Sequence, residues 1–246
     1  EAEAAFRTAV VSSHRLRVYL HGAELASASA LALLLQRCYE GLQAAATAEG
    51  LALGEVEVLP WLREPQPCRL TFQRFEHVVL GGTFDHLHAG HKVLLTVAAC
   101  LATSELAIGV SGPPLLQAKR GASALEPWAE RARTVAEFVA LVRPDLPLRI
   151  EELLDGYGPA LHRQMRALVV SAETESGGSS VNAKRHEIGV PPVEVVVIPL
   201  IAAAGGGGKE SSTAIRQRLD GLDALSRCAV ALAASLGAPG PAAERS

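Results

Sequence analysis

Apolar residues follow two patterns over residues 76 to about 220. Continuous apolar runs are typical of strands buried on both faces, and apolar positions three or four residues apart indicate helices. The runs predict strands at 77–81, 105–110, 147–152, 166–171 and 193–199. The periodic segments predict helices at 91–103, 127–142, 178–188 and 212–219. Because strands and helices alternate, we expect an α/β fold, doubly wound and Rossmann-like, with a parallel five-stranded sheet.

The residues on either side of this region predict separate parts. Residues 1–75 contain a strand, a helix and a second strand, predicted at 16–20, 25–48 and 56–59. A proline-rich stretch at 60–67 is typical of a linker, so we expect an N-terminal α/β extension of unknown role. An apolar helix at 221–236 ends the main domain, 76–236. Residues 237–246 are rich in Pro, Gly and Ala, which predicts a flexible tail.

Composition narrows the class of protein. The chain has 246 residues, of which 49% are hydrophobic and 20% charged, as in folded globular proteins. The formal net charge is −3, so we expect neither nucleic acid nor a membrane surface as partner. No apolar run approaches the roughly 20 residues of a spanning helix. The cysteines form no C-x-x-C pair, which favours reduced thiols in a cytoplasmic protein. They are Cys38, Cys68, Cys100 and Cys228.

The segment Gly81–His91 carries the strongest chemical signal. It lies between the first predicted strand of the main domain and the following helix. A helix N-terminus has unpaired N–H groups and a partial positive charge, which favour a phosphate. Gly90 permits close approach of a phosphate to the backbone. Since His88 and His91 are three residues apart, both side chains can face one ligand. The segment therefore predicts a site that holds a triphosphate.

Other polar residues extend this prediction. Ser211, Ser212 and Thr213 open a predicted helix, with Lys209 before them and Arg216 after them. They are either an ordinary N-cap or a second phosphate site. Two further cations follow the second predicted strand of the main domain, next to the motif in a doubly wound sheet. They are Lys119 and Arg131.

Two competing motif interpretations fail. A zinc site at His86, His88 and His91 lacks the usual ligand spacing and has no nearby cysteine. A P-loop ending at Lys209 would need Gly at 203 and Ser or Thr at 210, where Ala203 and Glu210 stand. We therefore expect no protein metal site and no kinase-type nucleotide loop.

Together these segments resemble phosphopantetheine adenylyltransferase of the eukaryotic and archaeal type. In animals that type forms one domain of the bifunctional CoA synthase, and since no P-loop follows we expect its kinase activity to be absent from this chain. The resemblance covers about residues 76–220. The H-x-G-H motif marks the wider nucleotidyltransferase superfamily, whereas Tyr157–Pro159 and Ser171–Thr174 point to this member. The segments that carry it are Gly81–His91, Lys119, Asp155–Pro159, Val169–Thr174, Asn182–Arg185 and Ser211–Arg216.

The resemblance implies transfer of AMP from ATP to 4′-phosphopantetheine, giving dephospho-CoA and pyrophosphate in coenzyme A biosynthesis. It implies that Thr83 contacts the attacking phosphate and that His88 lies nearest the reacting phosphorus. It also implies that Lys119 bridges the phosphates of the donor and the acceptor. Mg²⁺ is expected with ATP, held mainly by the phosphates. Implied ATP contacts are Gly81, Phe84, Gly90, His91, Ser211, Ser212 and Thr213. Candidate substrate contacts are Asp85, Arg131, Tyr157, Arg185 and Arg216.

The alternatives belong to other functional classes. A cytidylyltransferase usually carries an Arg-Thr-x-Gly-Ile-Ser-Thr-Ser signature where this chain has Lys209–Thr213. A nicotinamide-nucleotide adenylyltransferase is a second enzymatic alternative. A non-catalytic nucleotide-binding module is disfavoured because Thr83, His88, His91 and Lys119 are all present. A class I tRNA synthetase would need a K-M-S-K-S-like loop and a longer chain. Neither the oligomeric state nor the residues that grip the adenine and the pantetheine arm can be read from the sequence.

Overall fold

The structure is a computed structural model of the 246-residue chain, and it describes residues 5–12, 15–48, 55–63, 67–117 and 125–199. The described residues belong to two compact units, and the division falls between Thr71 and Phe72. The N-terminal extension was expected to end at residue 75, four residues beyond this division. The predicted helices at 212–219 and 221–236, and the tail at 237–246, lie outside the described residues.

The first unit is an α/β unit built on a small mixed sheet. Its described elements are β1 (Ala5–Ser12), β2 (Arg15–His21), β3 (Glu24–Leu25), α1 (Ala28–Ala48), β4 (Glu55–Pro60) and β5 (Arg69–Leu70). Strand β2 pairs antiparallel with β1 and parallel with β4, while β3 and β5 form a separate parallel pair. The predicted strand, helix and strand are thus confirmed. The sequence pattern missed β1, β3 and β5.

Helix α1 packs through one apolar face. Ser27 caps its first turn by accepting a hydrogen bond from the Ala30 N–H at 3.0 Å. The hydroxyl of Tyr39 accepts a hydrogen bond from the Val58 N–H at 3.0 Å, which ties the helix to β4. Apolar residues of α1 with no exposed surface recur at helical spacing, as an amphipathic helix requires. They are Leu31, Ala32, Leu35, Cys38, Leu42 and Ala46.

The second unit is a doubly wound parallel sheet. Its described elements are β6 (Phe75–Gly82), α2 (Ala89–Leu101), β7 (Ala102–Ser111), α3 (Pro113–Leu116), α4 (Trp128–Val142), β8 (Leu148–Leu153), β9 (Ala167–Ser171), α5 (Glu175–Glu187) and β10 (Glu194–Ile198). The strand order is β10-β9-β6-β7-β8, and every pairing is parallel. The chain starts at the centre, winds outward to β8 and then crosses to β9. The predicted fold is therefore confirmed, and the short helix α3 is an addition to it.

Both faces of this sheet are buried. Val79 of β6 packs with Val181 of α5 and with Ala160 of a 3₁₀ turn at Gly158–Leu161. Because side chains alternate along a strand, Val78 and Leu80 point to the opposite face, and both have at most 1% of their surface exposed. This double burial explains the continuous apolar runs of the sequence.

Glycines allow close packing at two places in this unit. A Cβ on Gly109 would lie 2.5 Å from Leu153, and a Cβ on Gly178 would lie 2.7 Å from Val195. The first lets the Leu153 side chain lie across the sheet, and the second lets α5 pack closely on β10.

The described cysteines are buried and are not disulfide-bonded, namely Cys38, Cys68 and Cys100. Burial raises the pKa of Cys38 to about 12, so this thiol is unreactive near neutral pH. Cys228 lies outside the described residues. Within the described part of the chain, the helices are too short or too polar to cross a bilayer.

Candidate active site

The candidate site lies at the carboxyl edge of the five-stranded sheet. The strand order reverses between β6 and β9, and in doubly wound folds ligands bind beyond the carboxyl ends of the strands at this point. Strand β6 ends at Gly82 and β9 ends at Ser171. Thr83 and the histidine motif follow the first of these strands directly. The sequence motif therefore lies where doubly wound folds usually bind their ligands.

His88 is the N-cap of α2. Its backbone is extended, at φ −102° and ψ 174°, and its Nδ1 atom accepts a hydrogen bond from the Gly90 N–H at 3.1 Å. An N-cap side chain satisfies one of the N–H groups that a helix start leaves unpaired. His88 thus has a structural role as the cap of α2, an alternative that its place at a helix start also allowed, and its role toward a ligand stays a prediction.

The cap determines the chemistry of the His88 ring. In a neutral imidazole one nitrogen donates and the other accepts, so an accepting Nδ1 places the proton on Nε2. Partial desolvation by the surrounding protein lowers the pKa of His88 below 6.5, although the side chain remains exposed. At neutral pH the ring is therefore uncharged and presents an Nε2–H donor.

The two histidines of the motif lie in contact. The rings of His88 and His91 stack with 3.8 Å between centroids and an interplanar angle of 24°. The ring of His91 also contacts Phe84, at 5.4 Å and 59°. These three rings form a stack in which His88 is the exposed member. The structure thus brings together both histidines, as their spacing predicted.

Phe84 supports the motif from below and has no exposed surface. A Cβ at Gly82 would lie 3.0 Å from its ring, so any other residue there would force the ring to shift. Phe84 itself adopts a left-handed backbone, with φ 54°. Phe84 was expected to contact ATP, but the fully buried ring offers no surface to a ligand. It sets the position of His91 instead.

A second set of hydrogen bonds ties the motif to the residues before α4. The Oδ1 atom of Asp85 accepts a hydrogen bond from the Glu126 N–H at 2.9 Å. In return, Oε2 of Glu126 accepts one from the His86 N–H at 2.8 Å. Asp85, a candidate substrate contact, thus has a partner within the protein. Sequence reasoning missed Glu126, because its partner is 41 positions away and no local pattern marks it.

Arg131 lies beneath the motif with only 2% of its surface exposed. Its Nη1 donates to the Thr83 carbonyl at 2.6 Å, its Nη2 to the Ser111 carbonyl at 2.9 Å, and its Nε to the Glu126 carbonyl at 2.9 Å. The expected substrate contact is corrected to a contact with the backbone. Ser111 and Glu126 are residues of the site that the sequence did not reveal.

The Tyr157 segment forms a tight turn after β8. Oδ1 of Asp155 accepts hydrogen bonds from the N–H groups of Gly158 and Tyr157, each at 2.8 Å. These bonds, first Gly158 and then Tyr157, hold the pKa of the Asp155 carboxyl below its usual value. Tyr157 packs partly buried against the core. The turn therefore has a fixed shape at the same edge of the sheet as the histidine motif.

Comparison with known proteins adds the family. The sequence model of the Cytidylyltransferase-like family matches residues 79–218, more than half of the chain. The chain belongs to the cytidylyltransferase-like family. The match begins inside β6 and includes the whole histidine motif, so the family assignment and the candidate site rest on the same residues.

Several curated relatives in this family are named phosphopantetheine adenylyltransferase. The protein from Saccharomyces cerevisiae is 39% identical over 150 residues, covering 59% of this chain and 49% of the yeast protein. The protein from Methanopyrus kandleri is 41% identical over 129 residues, covering 52% of this chain and 81% of the archaeal protein. That from Pyrococcus horikoshii is 37% identical over 130 residues, with the same coverage. The chain thus spans about half the length of the yeast relatives that it matches. The resemblance inferred from the motifs is confirmed.

The segment that follows β9 is a 3₁₀ turn at Ala172–Thr174, which leads directly into α5. Ser171 and Thr174 form a capping box: the Ser171 N–H donates to the Thr174 hydroxyl at 3.2 Å, and the two hydroxyls are 3.0 Å apart. The N-terminal end of α5 therefore lies at the carboxyl end of β9, beside the histidine motif. It is a second helix start at the candidate site.

Arg185 does not reach this site. Its side chain has no exposed surface, and it donates to the carbonyls of Ala160, His162, Met165 and Pro191. Four of the five N–H donors of an arginine are thus engaged by the backbone. The expected role in gripping the substrate is corrected: Arg185 fastens α5 to the loops before β9 and β10.

The remaining predicted site residues fall outside the described part of the chain. They are Lys119, Ser211, Ser212, Thr213 and Arg216. The ATP contacts expected at Gly81, Gly90 and His91 stay predictions, although all three lie at the carboxyl edge. Among the residues that the structure does describe, no group of three His, Cys, Asp or Glu side chains could hold a metal ion.

Proposed function

We propose that this chain transfers AMP from MgATP to 4′-phosphopantetheine, producing dephospho-CoA and pyrophosphate. The observation that carries the proposal is His88, which caps α2 beyond the central strand and presents an Nε2–H donor at the ligand edge. The names of the archaeal relatives, of which the chain covers 81%, support the choice of acceptor. The yeast relatives are about twice as long as the matched part.

The acceptor needs no general base. A phosphate monoester has a second pKa of about 6, so it is mostly a dianion at neutral pH and can attack directly. The oxygen of that dianion forms a bond to the α-phosphorus of ATP, and the bond from this phosphorus to the pyrophosphate oxygen breaks. What the protein must supply is placement of two anions and stabilisation of the charge that develops. No carboxylate base is part of the proposal.

His88 supplies one donor to that charge. Its Nε2–H is directed outward by the hydrogen bond at Nδ1, so the donor is present before substrate arrives. Stacking on His91 restricts the ring to one orientation. A hydrogen bond to an ionised phosphate is stronger than one between neutral groups, so this bond strengthens as negative charge grows.

Backbone groups supply further stabilisation. The N-terminal ends of α2 and α5 both lie at the carboxyl edge of the sheet. Each carries the partial positive charge of a helix start. We assign Thr83, directly after β6, to the acceptor phosphate, and Lys119 with Ser211–Thr213 to the triphosphate, on the resemblance alone. The cytoplasm remains the expected location.

The test is direct. Purified protein is mixed with MgATP and 4′-phosphopantetheine, and dephospho-CoA and pyrophosphate are measured. The expected result is equal amounts of both products, with little turnover when CTP replaces ATP. Turnover on CTP and choline phosphate, without dephospho-CoA, would instead identify a cytidylyltransferase. Nucleotide binding without any product would support the non-catalytic alternative.

A further inference from the structure

Arg131 joins three segments at the candidate site. We call the guanidinium and its three acceptors, the carbonyl oxygens of Thr83, Ser111 and Glu126, the Arg131 clamp. These acceptors lie 48, 20 and 5 positions from Arg131 along the chain. The three hydrogen bonds are between 2.6 and 2.9 Å long. One side chain thus connects the end of β6, the end of β7 and the residues before α4.

Two of the three acceptors lie where the pairing of β6 with β7 stops. The last paired residues of those two strands are Gly82 and Val110, and Thr83 and Ser111 are the next residues along the chain. A buried carbonyl without a donor is costly, so a donor is required there. The guanidinium is planar and its donors have a fixed geometry, which distinguishes it from a lysine ammonium. The spacing of the three segments is therefore set by one rigid group.

The loop beyond Thr83 is held at two points. Thr83 is fastened by the Arg131 clamp, and Asp85 and His86 are fastened by Glu126. Phe84, between these points, and His86, at the second of them, have left-handed backbones, at φ 54° and 42°. Residues with a Cβ adopt such angles only where the surroundings impose them. Release of the clamp would let this loop relax away from its observed path.

We propose that Arg131 is a positioning residue for AMP transfer. It contacts no substrate; it holds Thr83 and the loop that leads to His88 in the geometry of reaction. The inference rests on the proposed function for the chemistry that it affects. Displacement of a reacting group by about 1 Å can lower a rate by about 10². Loss of the clamp should accordingly reduce kcat much more than it weakens nucleotide binding.

Two substitutions separate geometry from charge. Arg131→Lys keeps the positive charge but cannot serve three carbonyls in one plane, and Arg131→Met removes both. Arg74→Lys is the matched control. Arg74 donates to the carbonyls of Cys100 at 2.9 Å and Ala102 at 3.0 Å, where β7 begins, at the other end of the sheet.

The expected result is a kcat for Arg131→Lys about 10²-fold below wild type, measured per folded molecule. The Kd for MgATP should change by less than about threefold, and Arg74→Lys should keep its kcat within about twofold. A kcat for Arg131→Lys within about threefold of wild type overturns the inference. The inference is also overturned if Arg131→Lys has normal kcat and only Arg131→Met loses kcat, since the positive charge alone would then be sufficient. If the lysine variant does not fold, Arg131→Gln, which keeps two amide donors, is judged by the same criteria.

Amide hydrogen exchange tests the clamp independently of the reaction. In Arg131→Lys, exchange at residues 83–88 should be at least about tenfold faster than in wild type, while β6 itself stays protected. Arg74→Lys should leave residues 83–88 unchanged. Equal exchange at these residues in Arg131→Lys and wild type overturns the inference even if no dephospho-CoA is formed. Absence of product from wild type, with faster exchange in the variant, would reject only the proposed function.

Discussion

His88 has two roles that a pair of substitutions can separate. As the N-cap of α2 it accepts a hydrogen bond from the Gly90 N–H through Nδ1, and in the proposed function it donates to a phosphate through Nε2. Alanine at 88 removes both roles. Serine keeps a cap oxygen, since serine is among the best N-cap residues, but its hydroxyl is too short to reach the position of Nε2.

Loss of the cap and loss of the donor should differ in size and in the property that is measured. Loss of an N-cap costs about 1 kcal/mol of folding stability, which corresponds to a fall in Tm of about 2–4 °C for a chain of this size. Loss of one donor to transition-state charge lowers kcat by about 10²–10³, or about 2.7–4 kcal/mol. Both His88→Ala and His88→Ser should therefore lose this activity, while only the alanine variant loses stability.

Thermal unfolding and steady-state kinetics with MgATP and 4′-phosphopantetheine measure these effects. The Kd for nucleotide should change by less than about fivefold in either variant, because the donor acts mainly on the transition state. A serine variant with nearly normal kcat would refute the donor role. An unchanged kcat combined with a loss of ATP affinity equal to the loss of kcat/KM would show that His88 binds ground state and transition state alike.

Three further outcomes are expected. Since the folded pKa of His88 lies below its unfolded value of 6.5, its contribution to stability is lost as the pH falls through the folded pKa. Wild type should thus lose more Tm than His88→Ser between pH 7 and 5; equal losses would contradict the desolvation of this ring. Gly158→Ala should destabilise the protein by about 1–3 kcal/mol, because the backbone is left-handed at φ +43° and the new Cβ would lie 2.1 Å from Leu153. Gly156→Ala, with no atom within 4 Å of its Cβ, is the control, and equal melting curves for the two would rule out the clash. Asp155→Ala should raise KM for 4′-phosphopantetheine about tenfold, or about 1.4 kcal/mol, through loss of the turn, whereas Asp155→Asn keeps an acceptor oxygen and should stay near wild type. An unchanged KM in the alanine variant would separate this turn from acceptor binding.

The strands of the main unit were predictable because burial on both faces leaves a local signature. β7, for example, was predicted at 105–110 and spans Ala102–Ser111. β1 was missed because Arg7 and Thr8 interrupt the apolar residues of Ala5–Ser12, so neither apolar pattern is continuous there. α3 is only four residues long and begins with two prolines, so no periodicity could reveal it.

The histidine motif was also predictable in place and in kind. Its glycines end a strand, its histidines begin a helix, and the doubly wound topology brings that junction to the ligand edge. The roles of the arginines were not predictable. Arg131 and Arg185 lie on helices, where most arginines are solvated or bind ligands, yet both are buried against backbone carbonyls.

The difference has a physical reason. The sequence by itself determined the order of strands and helices and the helix start at His88, since apolar periodicity and capping depend on residues a few positions apart. Only the tertiary structure decided which carbonyls are left at the ends of β6 and β7, and which donor serves them. Arg131 lies 20 positions from Ser111 and 48 from Thr83 along the chain, so these residues meet only once the sheet has formed. The histidine motif could therefore be predicted from the sequence, whereas the contacts that hold it in place could be identified only from the tertiary structure.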